Sequence, residues 1–252
     1  MTIYVPGKLT FKKETVAADP YFNNVSLLLH GDGANGSTTI LDSSPSPKTV
    51  TAAGNAQIST AQSKFGGSSI AFDGNGDYLQ IANTNDANFG SGDFTIEFWM
   101  YASEQGLGPL VHQTSLAFGT GWIIWIYNGV PPGNVPTKKL TFMANGEDIV
   151  LTTTSDAYAD NTWTHIAVVK SGTGSGNIKI YSNGSTVATG TYATALNNAT
   201  QPLQVGGIIN GISWNTTAYL NGYIDDLRIT KGVARYTSNF TPPTAPFPEV
   251  LG

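Results

Sequence analysis

The sequence predicts an all-β fold in which two antiparallel sheets pack face to face. Three observations predict it. Apolar and polar residues alternate with a period of two along most of the chain, the pattern of strands with one face turned inward. Short glycine-bearing turns such as Asp73-Gly74-Asn75-Gly76, Asn145-Gly146, Asn183-Gly184 and Asn221-Gly222 separate these runs, and Asn-Gly and Asp-Gly readily adopt the positive φ that tight hairpins need. No segment of ten or more residues combines a helical period with caps. A chain of 252 residues can bury a substantial core in such a sandwich without disulfides or metals.

Taken in order, residues 1–22 read as a polar N-terminal arm with one short apolar patch, Ile3, Tyr4 and Val5. Lys8, Lys12, Lys13 and Glu14 interrupt it, and it has no apolar run of the kind a secretory signal peptide requires. Residues 23–240 read as one domain of about a dozen strands at the spacing of sandwiches and barrels. Phe94, Ile96, Phe98 and Met100 alternate with Thr95, Glu97, Trp99 and Tyr101. Trp122, Ile124 and Ile126 alternate with Ile123, Trp125 and Tyr127, and Ile178 and Ile180 with Lys179 and Tyr181. Several of these runs are apolar on both faces, as expected of a sheet covered by its partner on one side and by loops on the other. The Gly/Pro-rich stretches 103–109 and 128–137 resemble rim loops. Residues 241–252 hold Pro242, Pro243, Pro246 and Pro248. Proline at that density cannot lie inside a sheet, so this tail is extended, lying on a surface or reaching a neighbour.

Composition removes whole classes of function. The net charge is −5 and no run of Lys or Arg exists, so no nucleic-acid footprint is expected. There is no cysteine, hence no disulfide framework and no thiolate metal site. No stretch approaches the length of a membrane-spanning helix, so no membrane insertion is expected. Charged residues are only 12 % of the chain, about half the usual share, with Gly, Asn, Ser and Thr in their place. These suit turns and solvated strand faces.

Four segments in chain order carry a resemblance. They are Ser26-Leu27-Leu28-Leu29-His30-Gly31-Asp32-Gly33 followed by Asp42-Ser43-Ser44, then Lys64-Phe65-Gly66-Gly67-Ser68-Ser69-Ile70-Ala71-Phe72-Asp73-Gly74 with Asp77-Tyr78-Leu79. Asp93-Phe94-Thr95-Ile96-Glu97-Phe98-Trp99 follows, with Trp163-Thr164-His165-Ile166-Ala167-Val168. The last is Asn221 to Ile229 with Gly232-Val233-Ala234-Arg235-Tyr236 and Asn239-Phe240-Thr241-Pro242-Pro243. From Val25 to about Phe247 the chain resembles the laminin G-like, concanavalin A-like lectin/glucanase domains common in tailed-phage virion proteins. The resemblance implies a two-sheet antiparallel jelly-roll sandwich, whose members mostly bind glycans or proteins; the extended N- and C-terminal arms are read from the composition of the two ends, and the first arm lies outside the resemblance. Some relatives are glucanases, and fold does not choose among these activities.

Retaining glycan cleavage needs two carboxylates about 5–5.5 Å apart. The five glutamates, Glu14, Glu97, Glu104, Glu147 and Glu249, have no acid two positions away on the same strand face. Asp73 and Asp77 lie four apart, but Gly74 and Gly76 mark a turn between them. No Gly-x-Ser-x-Gly elbow occurs, and His30, His112 and His165 share no metal-ligand spacing. His30 and His165 read as structural histidines. The expectation is a noncatalytic chain that requires no cofactor.

A structural Ca²⁺ is the one cofactor the sequence raises. The loop starting at Asp73 is not an EF-hand, since Tyr78 and Thr84 replace the required Gly and Glu. Alternation instead places Tyr223, Asp225, Leu227 and Ile229 on one face, read as the inner one. A buried Asp225 must be hydrogen-bonded, paired or bound to a cation. Either it meets Asp32 or Asp42 around a calcium ion, or it accepts backbone N–H bonds at a strand end.

For a ligand, aromatic faces suit apolar sugar faces and short polar side chains suit hydroxyls. Trp122, Trp125 and Tyr127 in one strand, and Trp214 in the run Asn210 to Thr217, are the candidates. The alternative for Trp214 is that it folds back onto the sandwich. Trp99 and Trp163 read as core. The resulting expectation is a virion protein of a tailed phage, a capsid decoration or knob protein on the extracellular particle. Its arms dock to other capsid or tail proteins or to further copies of the chain, and its sandwich binds a cell-surface glycan or protein. The alternatives are a tail-attached receptor-binding protein, a free bacterial lectin, or a glucanase-like hydrolase.

Overall fold

The computed structural model describes residues 18–82, 85–103, 108–115, 119–126, 138–145, 148–207 and 219–251. Among them are fifteen strands and two single turns of 3₁₀-helix. An eight-stranded sheet has the order β13 (Ser185–Gly190), β12 (Ile178–Ser182), β11 (Thr164–Lys170), β6 (Phe94–Ala102), β15 (Asn221–Lys231), β4 (Ser69–Asp73), β3 (Gln57–Ser59), and β1 (Val25–Leu29) also pairs with β15. A seven-stranded sheet has the order β10 (Asp148–Thr152), β9 (Leu140–Ala144), β8 (Thr120–Ile126), β7 (Gly108–Ser115), β14 (Leu203–Val205), β5 (Tyr78–Ile81), β2 (Val50–Ala53). All pairings between these strands are antiparallel. The predicted jelly-roll sandwich is the observed fold.

The core lies between the sheets. Phe94, Ile96, Phe98 and Met100 of β6, with Ile166 and Val168 of β11, meet Trp122, Ile124 and Phe142 from the opposite sheet. Burying a side chain of this size is worth about 1.5–3 kcal/mol each, and this one contiguous cluster holds the layers together.

β15 departs from simple alternation. Asp226 takes φ 52°, and the register against β6 shifts between Asp225 and Arg228. This is a β-bulge, and its extra residue resets which side chains face inward. Ile224, Leu227 and Ile229 therefore all enter the core. Tyr223 and Asp225 lie on the outer face with Arg228, which corrects the sequence expectation that Asp225 shares the inner face with Leu227 and Ile229. A period of two cannot be carried across a bulge that the sequence does not announce.

The outer face of the eight-stranded sheet has three zones. At one end the chain's own termini cover it. Phe247 is buried against Val25 and Leu28, its N–H donates to Asp226 Oδ2 at 2.8 Å, and the Arg228 guanidinium lies 3.7 Å from its ring centroid. The Asp19 N–H donates to the Val250 carbonyl at 2.8 Å. The proline-rich tail thus takes the first of its two expected destinations, a surface, and that surface is its own sheet. In the middle, Lys64 and Phe65 cover Trp99, with Lys64 Nζ 3.9 Å from the indole centroid. The other end is open.

Candidate functional site

The open end is a trough built by strand register. Ala71 sits between Gln57 on one side and Tyr223 on the other, and Tyr223 stands opposite Tyr101. Ala71 is the small member of this row, and its missing bulk makes the floor of a groove of about 620 Å³. That is within the range of small-ligand sites, about 300–1,000 Å³. Ser59, Asn55, Asn221 and Asp73 add polar walls. Tyr223, Tyr101 and Trp163 continue the row as partly exposed rings. Tyr101 lies 5.8 Å from Tyr223 and 5.6 Å from Trp163, centroid to centroid. Gly222 makes the close strand approach behind them possible, since a Cβ there would stand 2.2 Å from the Tyr101 carbonyl oxygen.

The groove's rim is fixed by the turn between β4 and β5. Asp77 is buried and accepts from the backbone N–H of Asp73 at 2.8 Å and from that of Asn55. Asp73 accepts from Asn75 N–H at 2.8 Å and from the Asn55 amide at 3.0 Å. That Asn55 bond, which favours the charged form, lowers the Asp73 pKa, while burial raises that of Asp77. Both carboxylates are occupied in holding the turn, as the sequence reading of this segment expected.

A second cluster lies at the covered end. Glu97 is fully buried and receives Arg228 Nε and Nη2 on Oε1 at 3.0 and 2.7 Å, and Tyr236 Oη on Oε2 at 2.8 Å. Arg228 and Arg235 also donate to Asp19 at 2.7–3.0 Å. Burial pushes the Glu97 pKa upward, but the Arg228 guanidinium, with His165 and Arg235, overrides it and holds the group down to about 2. Beside it, His30 contacts Asp226 through Nδ1 and Glu249 through Nε2. Burial disfavours its proton, yet Asp226, Glu249 and Asp32 together raise its pKa. These pairs tie the termini to the sheet.

The residues proposed from sequence are dispersed. Trp122 is 1 % exposed, stacks on Phe89 at 5.5 Å and donates Nε1–H to the Ala87 carbonyl at 2.9 Å. Trp125 is 3 % exposed. Both are buried, which corrects their assignment as ligand-binding residues. Tyr127 and Trp214 lie outside the described residues. Trp163, expected in the core, is instead the partly exposed end of the aromatic row.

The three candidate calcium ligands do not form a cluster of three. Asp42 is committed to its own loop, accepting N–H groups from Leu28, Ser44 and Lys48 at 2.8–3.0 Å. Asp225 Oδ2 accepts from Lys64 and Phe65 N–H at 2.7 and 3.1 Å. Asp32 is exposed. Among the described residues no group of three or more His, Asp or Glu is disposed to hold a metal ion. Burial, with smaller contributions from Asp226 and Asp32, pushes the Asp225 pKa up to about 7. A carboxyl whose folded pKa lies above the unfolded value favours folding only while protonated, and that stability is lost as pH rises from about 4 through about 7. Asp225→Asn is therefore expected to gain stability over the parent at about pH 8 and to match it near pH 4, read by denaturant melts at both. A less stable variant at the higher pH would mean that the charge is in use, as a cation bound with Asp32 would require.

Sequence reasoning missed Gln57, Ala71, Tyr101 and Tyr223. They are distant in sequence, and only their membership of strands with outward-facing polar or aromatic residues could have flagged them.

Solved structures share the fold. The binding domain of Paraclostridial Mosquitocidal Protein 1 aligns with TM-score 0.60 at 18 % identity, over 84 % of this chain and 50 % of that one. The receptor binding domain of botulinum neurotoxin D aligns with TM-score 0.60 at 14 % identity, over 85 % and 51 %. A botulinum neurotoxin type C structure, described by the dependence of cell entry on two ganglioside molecules, aligns with TM-score 0.58 at 20 % identity, over 84 % and 49 %. The chain thus spans about half the length of these proteins. No curated protein sequence matches it. A family model described as the concanavalin A-like lectin/glucanases superfamily matches residues 73–235, more than half of the sequence. The sandwich, its register and this match together place the chain in the concanavalin A-like lectin/glucanase superfamily.

Proposed function

We propose that this chain is a noncatalytic glycan-binding module and that the open end of the eight-stranded sheet is its binding face. The observation that carries the reading is the row Gln57–Ala71–Tyr223–Tyr101, in which amide and hydroxyl groups flank aromatic rings over a small-residue floor. Sugars need both kinds of contact. The groove's two carboxylates, Asp73 and Asp77, are engaged in the turn, which favours binding over hydrolysis. The ganglioside interaction named for the type C neurotoxin structure supports the ligand class by analogy of fold.

Tyr223→Ala tests this. Losing a central aromatic contact costs about 2 kcal/mol, roughly a thirtyfold weaker Kd. A glycan array, followed by titration of the parent and the variant, reads it. Equal binding by both, at unchanged melting temperature, rejects the groove as the site.

The setting we propose is the virion of a tailed phage, with this sandwich exposed as a decoration or knob protein. The segments running from Gly232 to Tyr236 and from Asn239 to Pro243 support it, because they resemble those of phage virion proteins. Attachment would fall to the N-terminal arm, since the tail's contacts are with its own sheet. Asp19 is locked to Arg228 and Arg235, so an arm deletion must spare it. Removal of residues 1–17 is expected to leave the melting temperature unchanged and to abolish co-sedimentation with purified particles. Retained co-sedimentation would place the attachment elsewhere.

A further inference from the structure

We infer that the groove takes a neutral, linear oligosaccharide of about four units, laid across the strands; this rests on the glycan reading above. The direction follows from the sheet. Gln57, Ala71, Tyr223 and Tyr101 occupy successive strands β3, β4, β15 and β6, and Trp163 flanks the next strand, β11. Four steps between neighbouring strands span roughly 19 Å. A pyranose unit is about as long as one step, so about four units cover the row. Rings at Tyr223, Tyr101 and Trp163 can stack on sugar faces, and Gln57 at the far end offers both a donor and an acceptor to hydroxyls.

The charge of the ligand follows from the lining. Among the described residues lining the groove there is no Lys or Arg, and the only carboxylates are Asp73 and Asp77. A bound carboxylate sugar would lack the guanidinium or ammonium partner that such recognition uses, and it would face the exposed Asp73. Amide, hydroxyl and aromatic groups suit neutral hexoses.

Calorimetric titration with cello-, malto-, xylo- and chito-oligosaccharides of one to six units, and with sialyllactose, tests both parts. The expected result is one neutral series whose affinity rises at least about threefold per unit up to about the tetramer and then levels. Trp163→Ala should then shorten that dependence by one unit. Affinity that does not grow with length, or sialyllactose binding tighter than every neutral ladder yet still lost in Tyr223→Ala, overturns the inference and leaves the groove a glycan site. If no probe of either kind binds, the glycan reading itself falls.

Discussion

Arg228→Ala is expected to destabilise the chain by roughly 3–5 kcal/mol, a fall in Tm of roughly 10 °C for a domain of this size. Arg228 is 5 % exposed and Glu97 fully buried. Removing the guanidinium leaves Glu97 with a buried charge and leaves Asp19 with Arg235 alone. Desolvation of the pair is a cost already met by the folded chain; deletion of one partner removes only the attraction and the hydrogen bonds. The loss should also be local in origin. Phe247 loses the cation above its ring, so the amides of Asp19 and Phe247 should exchange with solvent sooner than those of β11. The same network gives a pH signature. Glu97 is held down to about 2 in the fold against 4.5 as its ordinary value. Its contribution is complete above about 4.5 and is lost as pH falls toward 2. Acid melts should therefore separate parent and variant less and less through that window. A variant as stable as the parent at neutral pH would show that the network is replaceable by water and packing.

The second large effect is expected at Trp122, where Trp122→Ala should cost roughly 3–5 kcal/mol. The indole fills the space between Phe89 and the inner face of β8, and its N–H satisfies the Ala87 carbonyl. Trp122→Phe keeps most of the volume and loses the donor, so it should fall between, at roughly 1–3 kcal/mol from the unsatisfied carbonyl. Any glycan affinity of the folded variants should equal that of the parent. Tyr223→Ala is the mirror image, with binding weakened and stability kept. Equilibrium denaturation and glycan titration on the same preparations check both halves, and a Trp122 variant that folds normally yet fails to bind would return this residue to the site.

These two cases show how far the sequence could be read. The alternation Phe94–Met100 and the turn at Asn183 sufficed for a two-layered antiparallel fold, because a period of two on a half-buried strand has one low-energy arrangement; Asn221-Gly222, expected as a turn, instead opens β15, paired on both sides by β4 and β6. The expectation that Asp73 to Asp77 is a turn followed from the same local chemistry. Trp122 and Trp125 show where that reading ended. In a strand apolar on both faces, periodicity says that two faces exist and not which of them stays open to solvent. That depends on what the rest of the chain lays over it.

Local chemistry, set by neighbours a few residues apart, was therefore determined by the sequence itself: the strands, their turns, the superfamily, and the poverty of paired acids. Three things were decided only by tertiary structure. The bulge at Asp226 turned Asp225 outward, the tail with Phe247 closed one end of the outer face, and Gln57, Ala71, Tyr223 and Tyr101 came into one row. Each depends on pairing between segments tens to hundreds of residues apart, and the energy of such pairing is in contacts that no local pattern contains.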